Sequence, residues 1–124
     1  MSLSNITFPN SQLRLESSID DEAITLRLLG KSILRDPNEY IMPVLQEAVT
    51  EAVALNKRIV IDFTDLSYMN SSTLTPIIKI LEKIRIGEGK ITLLYRKSLK
   101  WQDISFSALV IFQTNDKRIE IKGV

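Results

Sequence analysis

The run Asn70-Ser71-Ser72-Thr73 sets one amide and three hydroxyls side by side. It falls between the apolar stretch Ile59-Val60-Ile61-Asp62-Phe63 and an apolar-periodic segment that opens at Leu74. A hydroxyl does chemistry in one of two ways. It attacks an electrophile when a neighbouring base takes its proton, or it accepts a phosphoryl group from an enzyme that supplies that base. The sequence contains no histidine and no cysteine. Ser-His-Asp and Cys-His hydrolases are therefore excluded, as are disulfides, thiolate catalysis and cysteine-based metal sites. Two uses of the cluster remain: helix capping, and the acceptance of a phosphate.

The elements on either side favour both uses. At the end of a strand that feeds a helix, the helix offers unpaired N–H groups and the positive end of its dipole. A side chain that becomes anionic is stabilised there. Pro76 helps divide the hydroxyls. Proline lacks an N–H and collides with the carbonyl four residues before it, so it fits a helix without cost only in the first turn. A cap at Thr73 or Thr75 places Pro76 at the third or first helical position, where its missing donor costs nothing. Ser71, and with it Ser72, is then left in the preceding loop. Taken locally, the cluster reads first as an ordinary polar turn with a cap, since Ser, Thr and Asn favour such places.

Periodicity along the chain supplies the frame. Leu13 and Leu15, then Ile24, Leu26 and Leu28, alternate as two strands, with a hairpin turn at residues 18–21 and Gly30 closing the second. Asp36-Pro37-Asn38-Glu39 reads as a helix start with Asp36 as the cap. Tyr40, Ile41, Val44, Leu45, Ala48, Val49, Ala52 and Val53 recur as adjacent pairs every four residues, one apolar face of a long helix that ends near Asn56, with Pro43 kinking or restarting its first turns. Residues 58–63 are apolar at successive positions, as in a strand buried on both faces. Leu74, Ile77, Ile78, Leu81 and Ile84 predict a second helix, stopped at Gly87-Glu88-Gly89. Residues 90–95 predict a strand, 98–112 a helix with Trp101, Ile104, Phe106, Leu109 and Phe112 partly on one face, and 118–124 a last strand. The order β-β-α-β-α-β-α-β predicts an α/β fold with a mixed sheet of about five strands and helices packed against it.

One domain over residues 1–124 suits a chain of this length. With 44% hydrophobic and 25% charged residues and a net charge of +1, nothing points to nucleic acid or an anionic membrane. No apolar run is long enough to span a bilayer. The start MSLSNITFPN lacks the basic and apolar regions of a secretion signal, so a cytoplasmic protein is expected. Asp62 and Asp65 read as solvated carboxylates rather than a metal or aspartyl-phosphate site, because no acidic pair ends the first strand. Gly87-Glu88-Gly89 reads as a turn, not a dinucleotide loop. Trp101 and Phe106 read as core. Lys57-Arg58 and Arg96-Lys97 read as solvated ends, with Arg96, Lys97 and Lys100 available to an acidic partner.

The stretch from Ile59 to Leu74 resembles the STAS family, the anti-sigma factor antagonists and their relatives in bacterial partner switching. The resemblance rests on the strand Ile59-Val60-Ile61-Asp62, on Leu66 to Met69, on Asn70-Ser71-Ser72-Thr73-Leu74 opening a helix, and on Leu28-Leu29-Gly30-Lys31. The element order also agrees. The resemblance implies a STAS-like fold and a non-enzymatic regulator without cofactor or metal. It further implies that Ser71, or failing that Ser72, is phosphorylated by a cognate serine kinase with an anti-sigma role, and that a PP2C-type metal-dependent phosphatase reverses it. Asn70, Ser71, Ser72, Thr73 and Leu74 are then the partner-binding surface of a monomer or weak dimer.

Two positions depart from the family pattern, whose acidic residue is Asn70 here and whose glycine is Thr73. A left-handed backbone at Thr73 would be strained. Asn at the acidic position also occurs in branches tied to biofilm and second-messenger control. The alternatives are a STAS-like scaffold or small-ligand module that is never phosphorylated, and a small enzyme built on convergent carboxylates.

Overall fold

The computed structural model describes residues 5–8 and 12–124. Part of the N-terminal stretch read as lacking a secretion signal, residues 1–4 and 9–10, lies outside the described residues. Seven strands form one sheet: β1 (Ile6–Thr7), β2 (Gln12–Ile19), β3 (Ala23–Ser32), β4 (Arg58–Asp62), β5 (Leu66–Met69), β6 (Ile91–Tyr95) and β7 (Ile119–Gly123). Their order is β1-β2-β3-β4-β6-β7, with β5 also paired to β3. The first three strands are antiparallel, and β3, β4, β6 and β7 run parallel.

Three helices interleave with the parallel strands: α1 (Pro37–Leu55), α2 (Leu74–Ile86) and α3 (Lys100–Ser107). All of them cover the same face of the sheet. Ile41, Leu45, Ala48 and Ala52 of α1, and Ile77, Ile80, Leu81 and Ile84 of α2, share one buried core with Ile24, Leu26, Ile59, Ile61, Ile91 and Leu93. Phe106 of α3 packs against Phe63 and Tyr95, with ring centroids 4.6 and 5.5 Å away. Trp101 lies half-buried against the same core.

Several expectations are corrected. Among the described residues the sheet has seven strands, not about five. β4 is buried on one face only: Ile59 and Ile61 are buried, whereas Arg58, Val60 and Asp62 are half-buried on the side without helices. The hairpin turn sits at Asp20 to Glu22, where Asp20 Oδ1 accepts from the N–H groups of Glu22 and Ala23, both at 2.8 Å. Gly30 does not end β3, which continues to Ser32.

The helix ends also differ in detail. Pro37 occupies the first turn of α1, but the Asp36 side chain makes no capping bond. The helix runs unbroken through Pro43 and ends at Asn56 in the left-handed conformation, φ 54°. The third helix stops at Ser107, and a 3-10 stretch, Ala108–Phe112, follows it. That stretch leads into Gln113 and Thr114, whose side-chain oxygens accept from Ile121 N–H at 3.0 Å and Ile119 N–H at 3.1 Å. Side chains thus satisfy the outer edge of β7 where another strand would otherwise pair. No helix among the described residues is long and apolar enough to cross a membrane.

Candidate functional site

The path of the chain from β4 to α2 builds the candidate site. After Asp62 the chain leaves the sheet for three residues and then returns as β5. This strand pairs with the upper half of β3, beyond the part that β4 has already paired. β5 is out of step with β3 by one residue: Gly30 faces Leu66 and Lys31 faces Tyr68, so Ser67 is the extra residue. The Ser67 hydroxyl donates to the Gly30 carbonyl at 2.8 Å. Gly30 itself has φ +87°, and a Cβ there would lie 2.0 Å from the carbonyl oxygen of Gln12. Only glycine fits, which gives a physical reason for the Leu28-Leu29-Gly30-Lys31 pattern.

The break between β4 and β5 is held by side chains that no local sequence pattern advertises. Gln102 of α3 is fully buried. Its Nε2 donates to the carbonyls of Phe63 at 2.7 Å and Leu66 at 2.9 Å, and its Oε1 accepts from Arg96 N–H at 2.8 Å. Asp62 Oδ1 accepts from both the N–H and the hydroxyl of Thr64, at 2.8 and 2.6 Å. Asp65 is paired with Arg27 and, at 3.2 Å, with Arg96. The hydrogen-bonded Arg27 guanidinium holds the Asp65 carboxyl below its ordinary value, and the charge of Arg96 adds to this. The two carboxylates are therefore structural rather than merely solvated. Arg58 is committed as well, to the Lys117 carbonyl at 2.8 Å and Thr92 at 3.1 Å.

Asn70 is the hub of the polar cluster. Its backbone N–H donates to the Ser32 carbonyl at 2.9 Å, and its Nδ2 donates to the Leu34 carbonyl at 3.0 Å. The orientation of the amide follows, because only nitrogen can donate to a carbonyl. Oδ1 then accepts three times: from Thr73 N–H at 3.2 Å, from the Thr73 hydroxyl at 2.7 Å and from the Ser72 hydroxyl at 3.1 Å. Asn70 thereby caps a 3-10 turn, Ser71–Thr73, that runs directly into α2. The cap expected at Thr73 or Thr75 is thus supplied by Asn70. Thr73 is the last residue before α2 but bonds no helix N–H through its side chain, and Thr75 is exposed. Pro76 takes the third position of α2 and faces the core.

The hydroxyls have distinct fates. Thr73 is buried beneath the turn, and its Oγ1 lies 2.7 Å from the buried Ser32 hydroxyl. Since the single Thr73 proton goes to Asn70 Oδ1, Ser32 must donate to Thr73. Thr73 has φ −64° and ψ −25°, so the strain anticipated from a left-handed backbone is absent. Ser72 is exposed but tied to Asn70. Ser71 is exposed, and its hydroxyl makes no hydrogen bond among the described residues. Leu74 is half-buried at the first position of α2. The five residues singled out from the sequence therefore do lie together, at the C-terminal end of β5. Ser32 and Leu34, which complete the network, carry no motif of their own.

No group of acidic side chains among the described residues could hold a metal ion. A cavity of about 310 Å³ lies at the opposite end of the sheet, lined in part by Ala52, Asn56, Gly87 and Arg118. Arg118 is occupied there by the carbonyls of Ile84, Gly87 and Gly89.

No protein-family model matches the sequence, and no curated protein matches it. Solved structures do match its fold. An anti-sigma factor antagonist from Mycobacterium paratuberculosis superposes with a TM-score of 0.62 at 16% identity, over 91% of this chain and 95% of that one. One chain of the complex of the diguanylate cyclase SiaD with its activator SiaC, from Pseudomonas aeruginosa, matches with a TM-score of 0.60 at 16% identity, over 97% of this chain and 98% of that one. A protein from Shewanella loihica described as having a SpoIIAA-like fold matches with a TM-score of 0.57 at 16% identity, over 96% and 90%. The chain thus has the STAS-like, SpoIIAA-like fold that its sequence suggested.

Proposed function

We propose that this protein is a non-enzymatic partner-switching regulator, controlled by reversible phosphorylation of Ser71. The observation that carries the reading is the division of labour among the hydroxyls. Thr73 is buried and Ser72 is bonded to Asn70, whereas Ser71 is exposed at the N-terminal end of α2 and makes no hydrogen bond among the described residues. A kinase can reach Ser71 without dismantling the turn. The phosphate would meet the positive end of the α2 dipole and would bring about −1.5 to −2 charges onto the partner-facing surface. Asn70 to Leu74 form that surface, and the unphosphorylated protein is the binding form. The partner is a regulatory serine kinase of anti-sigma type, and a PP2C-type phosphatase resets the switch. The fold shared with anti-sigma factor antagonists supports this reading.

A second reading keeps the switch but changes its output. SiaC, whose structure matches over nearly its whole length, is an activator of a diguanylate cyclase. A partner of that class in place of an anti-sigma kinase suits the Asn at position 70. A scaffold that is never phosphorylated is the competing account.

The test is incubation with the candidate regulatory kinase and ATP, followed by peptide mass spectrometry. Phosphate is expected on Ser71, with Thr73 unmodified, and Ser71→Asp is expected to weaken partner binding while Ser71→Ala leaves it intact. An unmodified Ser71 and Ser72, together with equal partner affinity for the Ala and Asp variants, would establish the scaffold instead.

A further inference from the structure

The face of the sheet that the helices leave open is divided electrostatically. In its lower half the arginines are neutralised, though Lys122 on β7 has no ion pair among the described residues: Arg27 pairs with Glu16 and Asp65, Arg58 with Glu120 and Arg96 with Asp65. The upper half is different. Alternation along β3 continues past its end, so that Lys31, Ile33 and Arg35 are exposed while Ser32 and Leu34 are buried. Lys31 is the register partner of Tyr68 on β5 and lies diagonal to Arg14, which pairs with Leu29 on β2. Among the described residues, no carboxylate forms an ion pair with Arg14, Lys31 or Arg35. Two large apolar side chains sit among these cations, Ile33 at 49% exposure and Tyr68 at 47%. Aromatic and apolar anchors framed by unneutralised positive charge, on a protein whose net charge is only +1, are the composition of a recognition surface rather than of a solvated face.

From this we infer that Arg14, Lys31, Ile33, Arg35 and Tyr68 dock an acidic segment of a protein partner that carries an apolar or aromatic side chain. Tyr68 and Ile33 receive the apolar group, and the three cations receive carboxylates. The surface is continuous with the candidate switch: Asn70 bonds the Ser32 and Leu34 carbonyls, which brings Ser71 alongside the Ile33–Arg35 end of the row. A phosphate on Ser71 would oppose the carboxylates of the partner and compete with them for the same cations, which gives phosphorylation the sign of release. Only this last step rests on the proposed switch; the docking surface stands without it.

The experiment is a titration of the ¹⁵N-labelled full chain with a short Glu/Asp-rich peptide containing one tryptophan. The expected result is amide shift changes at Arg14, Leu29, Lys31, Ile33 and Tyr68, with affinity falling as salt is raised. Arg14→Glu combined with Lys31→Glu is expected to weaken binding by about tenfold or more, whereas Lys90→Glu at the opposite end of the sheet is not. Circular dichroism of each variant verifies folding. Shifts centred elsewhere, or equal affinity in the double variant, would overturn the inference. So would a single-stranded oligonucleotide of equal charge that binds the same residues as tightly as the peptide. Ser71→Asp isolates the switch: if it leaves peptide binding unchanged while the double variant abolishes it, the docking surface holds and its control by Ser71 does not.

Discussion

The side-chain amide of Asn70 donates to the carbonyl of Leu34 at 3.0 Å, across 36 positions of sequence. The contact ties the entrance of α2 to the segment that leads from β3 into α1. It also explains why an asparagine stands where the STAS pattern has an acidic residue, because a carboxylate can supply the three acceptor bonds of Oδ1 but not the donor.

Asn70→Asp, which introduces the acidic residue of the STAS pattern, should therefore weaken this fold rather than improve it. Carboxylate oxygen would face carbonyl oxygen at Leu34, and a loss of about 1–3 kcal/mol is expected. Urea unfolding monitored at Trp101 measures it. Equal or greater stability in the variant would show that the Leu34 contact contributes nothing.

Ser32 and Thr73 should respond asymmetrically to deletion. Thr73→Val removes the sole acceptor of a buried hydroxyl proton and should cost about 1–3 kcal/mol. Ser32→Ala leaves Thr73 still donating to Asn70 and should cost less, about 0.5–1.5 kcal/mol. The double variant should cost less than the sum, since the stranded donor is gone, and a double-mutant cycle reads that coupling directly.

Gln102→Leu should be among the more damaging single changes. It removes the side-chain partners of the Leu66 carbonyl and the Arg96 N–H, and one of the two donors to the Phe63 carbonyl, which keeps the Leu66 N–H, for a loss of about 2–3 kcal/mol. Faster hydrogen exchange at the Arg96 amide should accompany the lower unfolding midpoint.

Acid should weaken the protein partly through Asp65. Its carboxyl is held below the ordinary value of 3.8, chiefly by the hydrogen bond from Arg27. A group depressed in the folded state contributes its stability fully above the unfolded pKa and loses it as pH falls through the folded one. Asp20 and Asp116 are shifted in the same direction by N–H and hydroxyl donors. Stability should thus decline as pH falls below about 4. Asp65→Asn should flatten that decline, as read from urea unfolding across the acid range. An unchanged slope would remove Asp65 from the account.

The sequence by itself determined the strands and helices whose apolar periods are long and regular, the burial of one face of α1 and α2 but not the exposure of Ile104 on α3, and the place of the polar cluster at a strand-to-helix junction. It also removed the histidine- and cysteine-dependent chemistries outright. It did not reveal β5, which is four residues long and carries an extra residue, so that no clean alternation survives. Nor did it show that β4 is covered on one side only: an apolar run looks the same whether helices flank one face of a sheet or both. Which hydroxyl is free was decided only by the tertiary structure. Thr73 is buried because Ser32 lies 41 residues away in sequence and 2.7 Å away in space, and Asn70 caps because Leu34 orients its amide. Side-chain period is a local property of the chain, whereas the satisfaction of a buried donor depends on whichever strand the fold has brought alongside.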